Sequence, residues 1–278
     1  MTGIIDSHQH FWHYNPVEYG WMGEDMGALR RDFLPEDLQP LLHANGVSGT
    51  VAVQARRTLD ETDWLLELAN HHAFILGVVG WLDMASPSYE ADLERRADNP
   101  SFRGIRELIH DMPDPEFAVQ DEHVKAVAAL GRHGLAYDLL LRPQHLASAT
   151  RLVDMLPGQR FVVDHMAKPD LKRGRLDGWV HDLRMLAERP NVWCKVSGLV
   201  TEADWSDWTF AQLEPAIDAA FDAFGTARVM FGSDWPVATC AAPYSGVVGI
   251  ATRYARRLSE DERRAFLSGN CRDFYGLW

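Results

Sequence analysis

Residues 3–10 read GIIDSHQH, an apolar strand opening that runs straight into two histidines separated by one residue. In a β-strand, residues i and i+2 project from the same side. His8 and His10 therefore share a face at the C-terminal end of such a strand, with Trp12 just beyond it. Two imidazoles on one face are either a ligand pair or an accident of composition, and the rest of the chain has to decide which.

Downstream, the hydrophobic period alternates between strand and helix. Short β-rich runs occur at GIIDSH, GVSGTVAVQ, FILGVVGWLD, FRGIREL, LAYDLLL, RFVVDH, VWCKVSG and RVMFGSD. Between them lie amphipathic helical stretches at 36–45, 60–72, 88–98, 121–133, 144–156, 178–189 and 210–224, with further helix near 246–257 and 259–268. Val124, Val127, Ala128 and Leu130, for example, repeat at helical spacing against Asp121, Glu122 and Lys125. Asp60 and Ser88 stand where caps are expected. Eight such alternations predict an α/β fold of the (β/α)8 TIM-barrel class rather than a doubly wound sheet. With no internal repeat or linker, residues 1–278 are expected to form a single domain. The stretch 11–35 is long for a βα loop and is expected to be a lid or binding loop.

Composition narrows the function. A formal net charge of −13 argues against nucleic-acid and anionic-membrane partners. No apolar run approaches the ~20 residues needed to span a bilayer, and the N-terminal stretch lacks the pattern of a secretory signal. Cys194, Cys240 and Cys271 are scattered without a C-x-x-C pair, which suits buried filler and a cytoplasmic setting. Dinucleotide and P-loop glycine motifs and the G-x-S-x-G elbow are all missing, so no nucleotide cofactor is expected.

In a TIM barrel, function sits at the C-terminal strand ends. Those ends offer His8 with His10, Gln54, Trp81 with Asp83, Arg106 with His110, Asp138, His165, Ser197 and Asp234. Most other histidines, His43, His71, His72, His123, His133, His145 and His181, fall on helices and are expected to be solvated or at the rim. Asp234 comes from the last strand, which neighbours the first in a closed barrel. Histidines from separate strands plus one carboxylate match the ligand set of a hydrolytic zinc site. The same residues also suit a hydrogen-bonded polar layer at the barrel mouth.

Six stretches, DSHQHFW, FRGIREL, VVDHMAKP, CKVSGLVTEADW, MFGSDWPV and the ending GNCRDFYGL, together resemble the amidohydrolase superfamily. Within it they are similar to the sugar-lactone hydrolases related to L-fuconolactonase and L-rhamnono-lactonase. The resemblance extends from the first strand to the last residues. His8 and His10 match the H-x-H of the first strand, His165 the later histidine, and Asp234 the aspartate of the last strand. Binuclear members carry a lysine or glutamate on the fourth strand and a histidine on the fifth, where this chain has Arg106 and Asp138. That departure points away from two metals and toward one divalent metal, such as zinc on His8, His10, His165 and Asp234, or none.

The implied reaction is hydrolysis of an aldonolactone, such as L-fucono-lactone, to the open sugar acid. Asp234 is then the expected general base, returning its proton to the leaving oxygen. His8, His10 and His165 either hold the metal or donate to the oxyanion. Trp12, Trp21, Trp81 and Trp235 are candidates for stacking on a sugar face. Gln54, Arg106, Lys168, Ser197 and Glu202 are candidates for hydroxyl and carbonyl contacts, Lys168 foremost because Pro169 fixes its loop. Two other readings are a pyrone-dicarboxylate lactonase or related decarboxylase, using Arg56, Arg57, Arg106 and Arg142, and a catalytically silent barrel that binds a sugar acid or metal.

Overall fold

The eight apolar runs become eight parallel strands, each paired with the next in sequence. They are β1 (Ile4–Gln9), β2 (Val47–Val53), β3 (Ile75–Gly80), β4 (Phe102–Glu107), β5 (Ala136–Leu139), β6 (Phe161–Val163), β7 (Val192–Val196) and β8 (Val229–Phe231). The structure is a computed structural model and describes residues 3–277. A parallel bridge between Gln9 and Trp235 joins the loop after β8 to β1, so the sheet returns on itself as a TIM barrel.

Helices cover the outside: α1 (Pro35–Ala44), α2 (Leu59–His71), α3 (Tyr89–Ala97), α4 (Asp121–Leu130), α5 (Leu146–Met155), α6 (Asp177–Ala187), α7 (Phe210–Phe224) and α8 (Tyr244–Ala255). Their starts differ from expectation in detail. Thr58, not Asp60, caps α2: its extended backbone lets the hydroxyl accept from the Glu61 amide at 3.2 Å. The Ser88 hydroxyl donates instead to Asp92 and leaves α3 without a side-chain cap. Among the described residues, no helix is long and apolar enough to cross a membrane.

Two apolar layers hold the barrel. Outward strand residues pack against the helices. Inside, Ile5, Val51, Val53, Val79, Ala136, Val162 and Met230 pack on Phe274, Tyr275 and Leu277. The C-terminal segment thus fills the N-terminal end of the barrel. His123 and His145 correct the expectation of solvated helix histidines, because both are buried. His123 lies beside the Tyr137 hydroxyl at 3.1 Å, and burial lowers its pKa to about 4.

The long first loop has a small core of its own. Trp12 bridges to Phe33 in antiparallel fashion, and Trp12, Tyr19, Met22, Leu29 and Phe33 are buried together. The Trp12 indole N–H donates to the Arg31 carbonyl at 2.9 Å. Val17 and Trp21 remain exposed on this loop.

Candidate active site

Closure of the barrel places Asp234 over the first strand. The Asp234 amide donates to the His8 carbonyl at 2.8 Å, and the His10 amide to the Trp235 carbonyl at 2.7 Å. Beneath them, one oxygen of the buried Asp6 accepts the Ser233 amide at 2.8 Å and the His8 amide at 3.1 Å, while the other accepts the Tyr244 hydroxyl. Burial raises Asp6 to about 6 even against these bonds.

Three imidazoles converge on one carboxylate oxygen. Asp234 Oδ1 lies 3.3 Å from His10 Nε2, 3.9 Å from His165 Nε2 and 4.0 Å from His8 Nε2. Neither His165 nor Asp234 sits on a strand; both follow one in a left-handed backbone, with φ of 51° and 59°. His165 opens a run of four such residues ending at Lys168. Non-glycine residues adopt this conformation at a cost, and they persist where surrounding structure dictates it. Gly198 packs so close that a Cβ there would lie 2.7 Å from the His165 ring.

Each imidazole has a fixed second partner. His10 Nδ1 donates to the Val53 carbonyl at 2.8 Å, so Nε2 faces Asp234 with either a proton or a lone pair shared with a cation. His165 Nδ1 meets the Ser197 hydroxyl at 2.9 Å, which can donate or accept and therefore permits either tautomer. Arg106 Nη1 donates to His8 Nε2 at 3.2 Å, and His8 Nδ1 faces Asp164 at 3.3 Å. Burial, above all, holds the pKa of His8 and His165 well below the ordinary value, so both are neutral. Burial would raise Asp234, but His165, His10 and Lys168 outweigh it and keep the carboxylate ionised.

Under this floor lies a buried charge network that joins the strand-end residues Arg106 and Asp138 to Lys195 and Asp164, which the sequence did not single out. Lys195 Nζ donates to Asp138 at 2.6 Å and forms an ion pair with Asp164 at 2.9 Å, and all three residues are fully buried. Arg106 reaches Asp164 at 3.1 Å, and the Tyr275 hydroxyl donates to Asp138 at 2.7 Å. Burial pushes Asp138 up to about 6 against the pull of Lys195. Two cations thus balance two carboxylates. The available signal for Lys195 was its spacing of two from Ser197, which lies one residue past the end of β7, so that both fall on one side of the extended backbone.

A cavity of about 370 Å³ opens above. His10, Arg106, His165, Lys168, Glu202, Asp234 and Trp12 line it, together with Trp21, His110 and Arg142. Thr201 and Trp205, which the sequence reading did not single out, also line it. Lys168 and Glu202 form an ion pair at 3.4 Å. Gln54, Trp81, Ser197 and Trp235 stand outside the lining. Gln54 is buried against Arg106, Trp81 donates to Glu107, Ser197 is bound to His165, and Trp235 packs edge-on to Phe11 and Phe33. Their positions suit holding the site residues in place.

The donor set fits a divalent cation. Ligand atoms of His8, His10 and Asp234 lie within 4.8 Å of one another, and all three residues are buried. Such an ion would have to displace Arg106 from His8 Nε2, whose single lone pair cannot serve both.

Residues 5–277 match the amidohydrolase family. An L-fucono-1,5-lactonase of Burkholderia multivorans is 42% identical to this chain, covering 98% of it and 96% of the relative. An L-fucono-1,5-lactonase of Burkholderia ambifaria is 38% identical over 100% of this chain and 97% of its own. Crystal structures of an amidohydrolase from Burkholderia multivorans, one with bound HEPES and one with bound zinc, superpose with TM-scores of 0.96 and 0.95. They share 40% and 41% identity with this chain, and 100% of each chain is covered.

Proposed function

This chain belongs to the amidohydrolase family, and on that premise we propose that it hydrolyses a sugar 1,5-lactone to the open sugar acid. The observation that carries the reading is the ionised Asp234 carboxylate, set among three imidazoles at the floor of a cavity large enough for one monosaccharide ring. Relatives named as L-fucono-1,5-lactonases, matched over 96% and 97% of their length, support it.

Asp234 removes a proton from water as the oxygen attacks the lactone carbonyl carbon. The tetrahedral intermediate collapses by breaking the bond to the ring oxygen, and Asp234 returns the proton to that oxygen. His165, with Nδ1 accepting from Ser197, presents Nε2–H to the developing oxyanion. With Ser197 accepting instead, His165 Nε2 would offer a lone pair, and His8, His10, His165 and Asp234 are the residues that would hold a divalent ion. That ion, such as zinc, would supply Lewis acidity to the carbonyl. An ester-like ring bond is activated enough for Asp234 to work without it.

Lys168 and Glu202 bind the ring and its hydroxyls from the walls, while Arg106 is held behind them on His8, Asp164 and Gln54. The first loop, residues 11–35, acts as a lid whose packed aromatic core fixes one wall. The arginines that a dicarboxylate would need are engaged elsewhere: Arg56 with Glu18 and Glu61, Arg57 with Glu107, and Arg106 with Asp164. Of that group only Arg142 has no carboxylate partner among the described residues, which disfavours the pyrone reading.

The test is proton release from a panel of aldonolactones, with enzyme treated with a chelator and then resupplied with Zn²⁺. Turnover is expected under at least one condition. Persistence without metal assigns the imidazoles to hydrogen bonding, restoration only by Zn²⁺ assigns them as ligands, and no turnover under either refutes the proposal.

A further inference from the structure

Among the described residues, His8 belongs to both side-chain clusters that could hold an ion, one with His10 and Asp234 and one with Asp164 and His165. Its Nε2 is turned toward Asp234, 4.0 Å away, and Arg106 Nη1 lies 3.2 Å from the same nitrogen. A guanidinium can only donate, so Arg106 occupies the Nε2 lone pair. The other ring nitrogen offers no substitute. Nδ1 faces the Asp164 carboxylate at 3.3 Å, which favours a proton there, and Lys195 Nζ stands 3.2 Å from it.

Arg106 is also braced against moving aside. It is buried near the end of β4, where Nη1 donates to Asp164 at 3.1 Å as well as to His8. Its Nη2 donates to the Gln54 carbonyl and, at 3.3 Å, to the Gln54 side-chain oxygen. The Gln54 side-chain nitrogen donates in return to the Arg106 carbonyl at 3.3 Å. An ion that claimed His8 would have to push the guanidinium out of this clasp.

Charge points the same way. Lys195 and Arg106 share the barrel floor with three buried carboxylates, Asp138, Asp164 and Asp234, while Lys168 above is set against Glu202. A divalent ion added beside Arg106 sets four buried positive charges against three negative ones; the same ion in place of Arg106 balances them. Buried charge is costly wherever it is left unpaired. The second cluster is blocked in kind, because Lys195 and Arg106 already hold the two oxygens of Asp164.

We propose that Arg106 is a resident cation that competes with divalent metal for His8 and so holds down the metal affinity of this site. Guanidinium and ion are alternatives at one nitrogen, and Gln54 tips the choice toward the guanidinium by clasping it. The inference deepens the metal branch of the reading above and does not depend on turnover.

The experiment titrates chelator-treated protein with Zn²⁺ in competition with a chromogenic chelator, and follows Co²⁺ by its visible d–d absorption. Arg106→Met removes the cation at similar length, and Zn²⁺ should bind it about 10–100-fold more tightly than wild type. Gln54→Met removes the clasp and leaves the cation, and should tighten binding by about threefold or more. Thermal melting shows which variants are folded, and Gln54→Met decides the question if Arg106→Met is not. His8→Leu added to Arg106→Met should abolish the gain. Affinity equal to or weaker than wild type in the folded variants, or a gain that survives His8→Leu, overturns the inference. Neither result touches the lactonase reading, which stands or falls on turnover of the aldonolactone panel.

Discussion

Replacing Lys195 with methionine removes the cation on which the barrel interior depends while nearly preserving its volume. Lys195 is fully buried, with its ammonium 2.6 Å from Asp138, 2.9 Å from Asp164 and 3.2 Å from His8 Nδ1. The two carboxylates are not equally exposed to its loss. Asp164 keeps Arg106 and His8, whereas Asp138 keeps only the Tyr275 hydroxyl. Deleting one partner of a buried ion pair costs roughly 3–5 kcal/mol, because an uncompensated charge stays behind. Unfolding entropy scales with chain length, at about 2.1 cal/mol/K per residue. For 278 residues this converts the loss into a Tm lower by about 5–9 °C.

The sign of the pH dependence follows from Asp138. Burial already holds it up at about 6, and without Lys195 it rises further and takes up a proton. The unfolded carboxyl ionises near its ordinary value, so the variant's native state retains a proton that the unfolded state releases. Its deficit relative to wild type therefore grows as pH rises, by at most about 1.4 kcal/mol per pH unit. Adding Asp138→Asn removes the orphaned charge and leaves an amide oxygen for Tyr275, and it should recover at least about half of the lost Tm. Calorimetry or circular dichroism between about pH 5.5 and 8 measures all of this. A single variant melting within about 2 °C of wild type, or a double variant no more stable than the single, would refute the reasoning.

Asp234→Asn keeps the shape but cannot take a proton, and kcat should fall by about 10²–10⁴-fold; a variant retaining most activity removes Asp234 as the base. Ser197→Ala frees the His165 ring and should lower kcat by about 10–100-fold, with Ser197→Thr restoring most of it; an unchanged kcat sinks the positioning role. Gly198 has φ of 63°, so Gly198→Ala combines backbone strain with the clash against His165 and should depress activity and Tm together. His123 is held neutral by burial with a pKa of about 4. Its contribution is present above about pH 6.5 and is lost as pH falls toward 4, by up to roughly 3 kcal/mol. His123→Gln should flatten the acid limb of a Tm–pH curve, and a slope equal to wild type would count against this.

The sequence by itself determined the alternation of strand and helix, the shared face of His8 and His10, and the placing of polar residues at strand ends. These are local properties: a period of two or 3.6 residues is written within one element and needs no distant partner. The placing of Asp234 was partly legible for the same reason, since the last strand of a closed barrel must neighbour the first. Tertiary structure alone decided the rest. Lys195 meets Asp138 and His8 across 57 and 187 residues, and no spacing rule reaches that far. His165 and Asp234 turn inward through left-handed backbone after their strands end, a conformation that non-glycine side chains do not announce. Gln54, Trp81, Ser197 and Trp235 looked like binding residues because they share the chemistry of binding residues. Barrel radius and register commit their polar atoms and rings to neighbours instead, and only the closed fold sets which polar group faces the cavity and which faces another side chain.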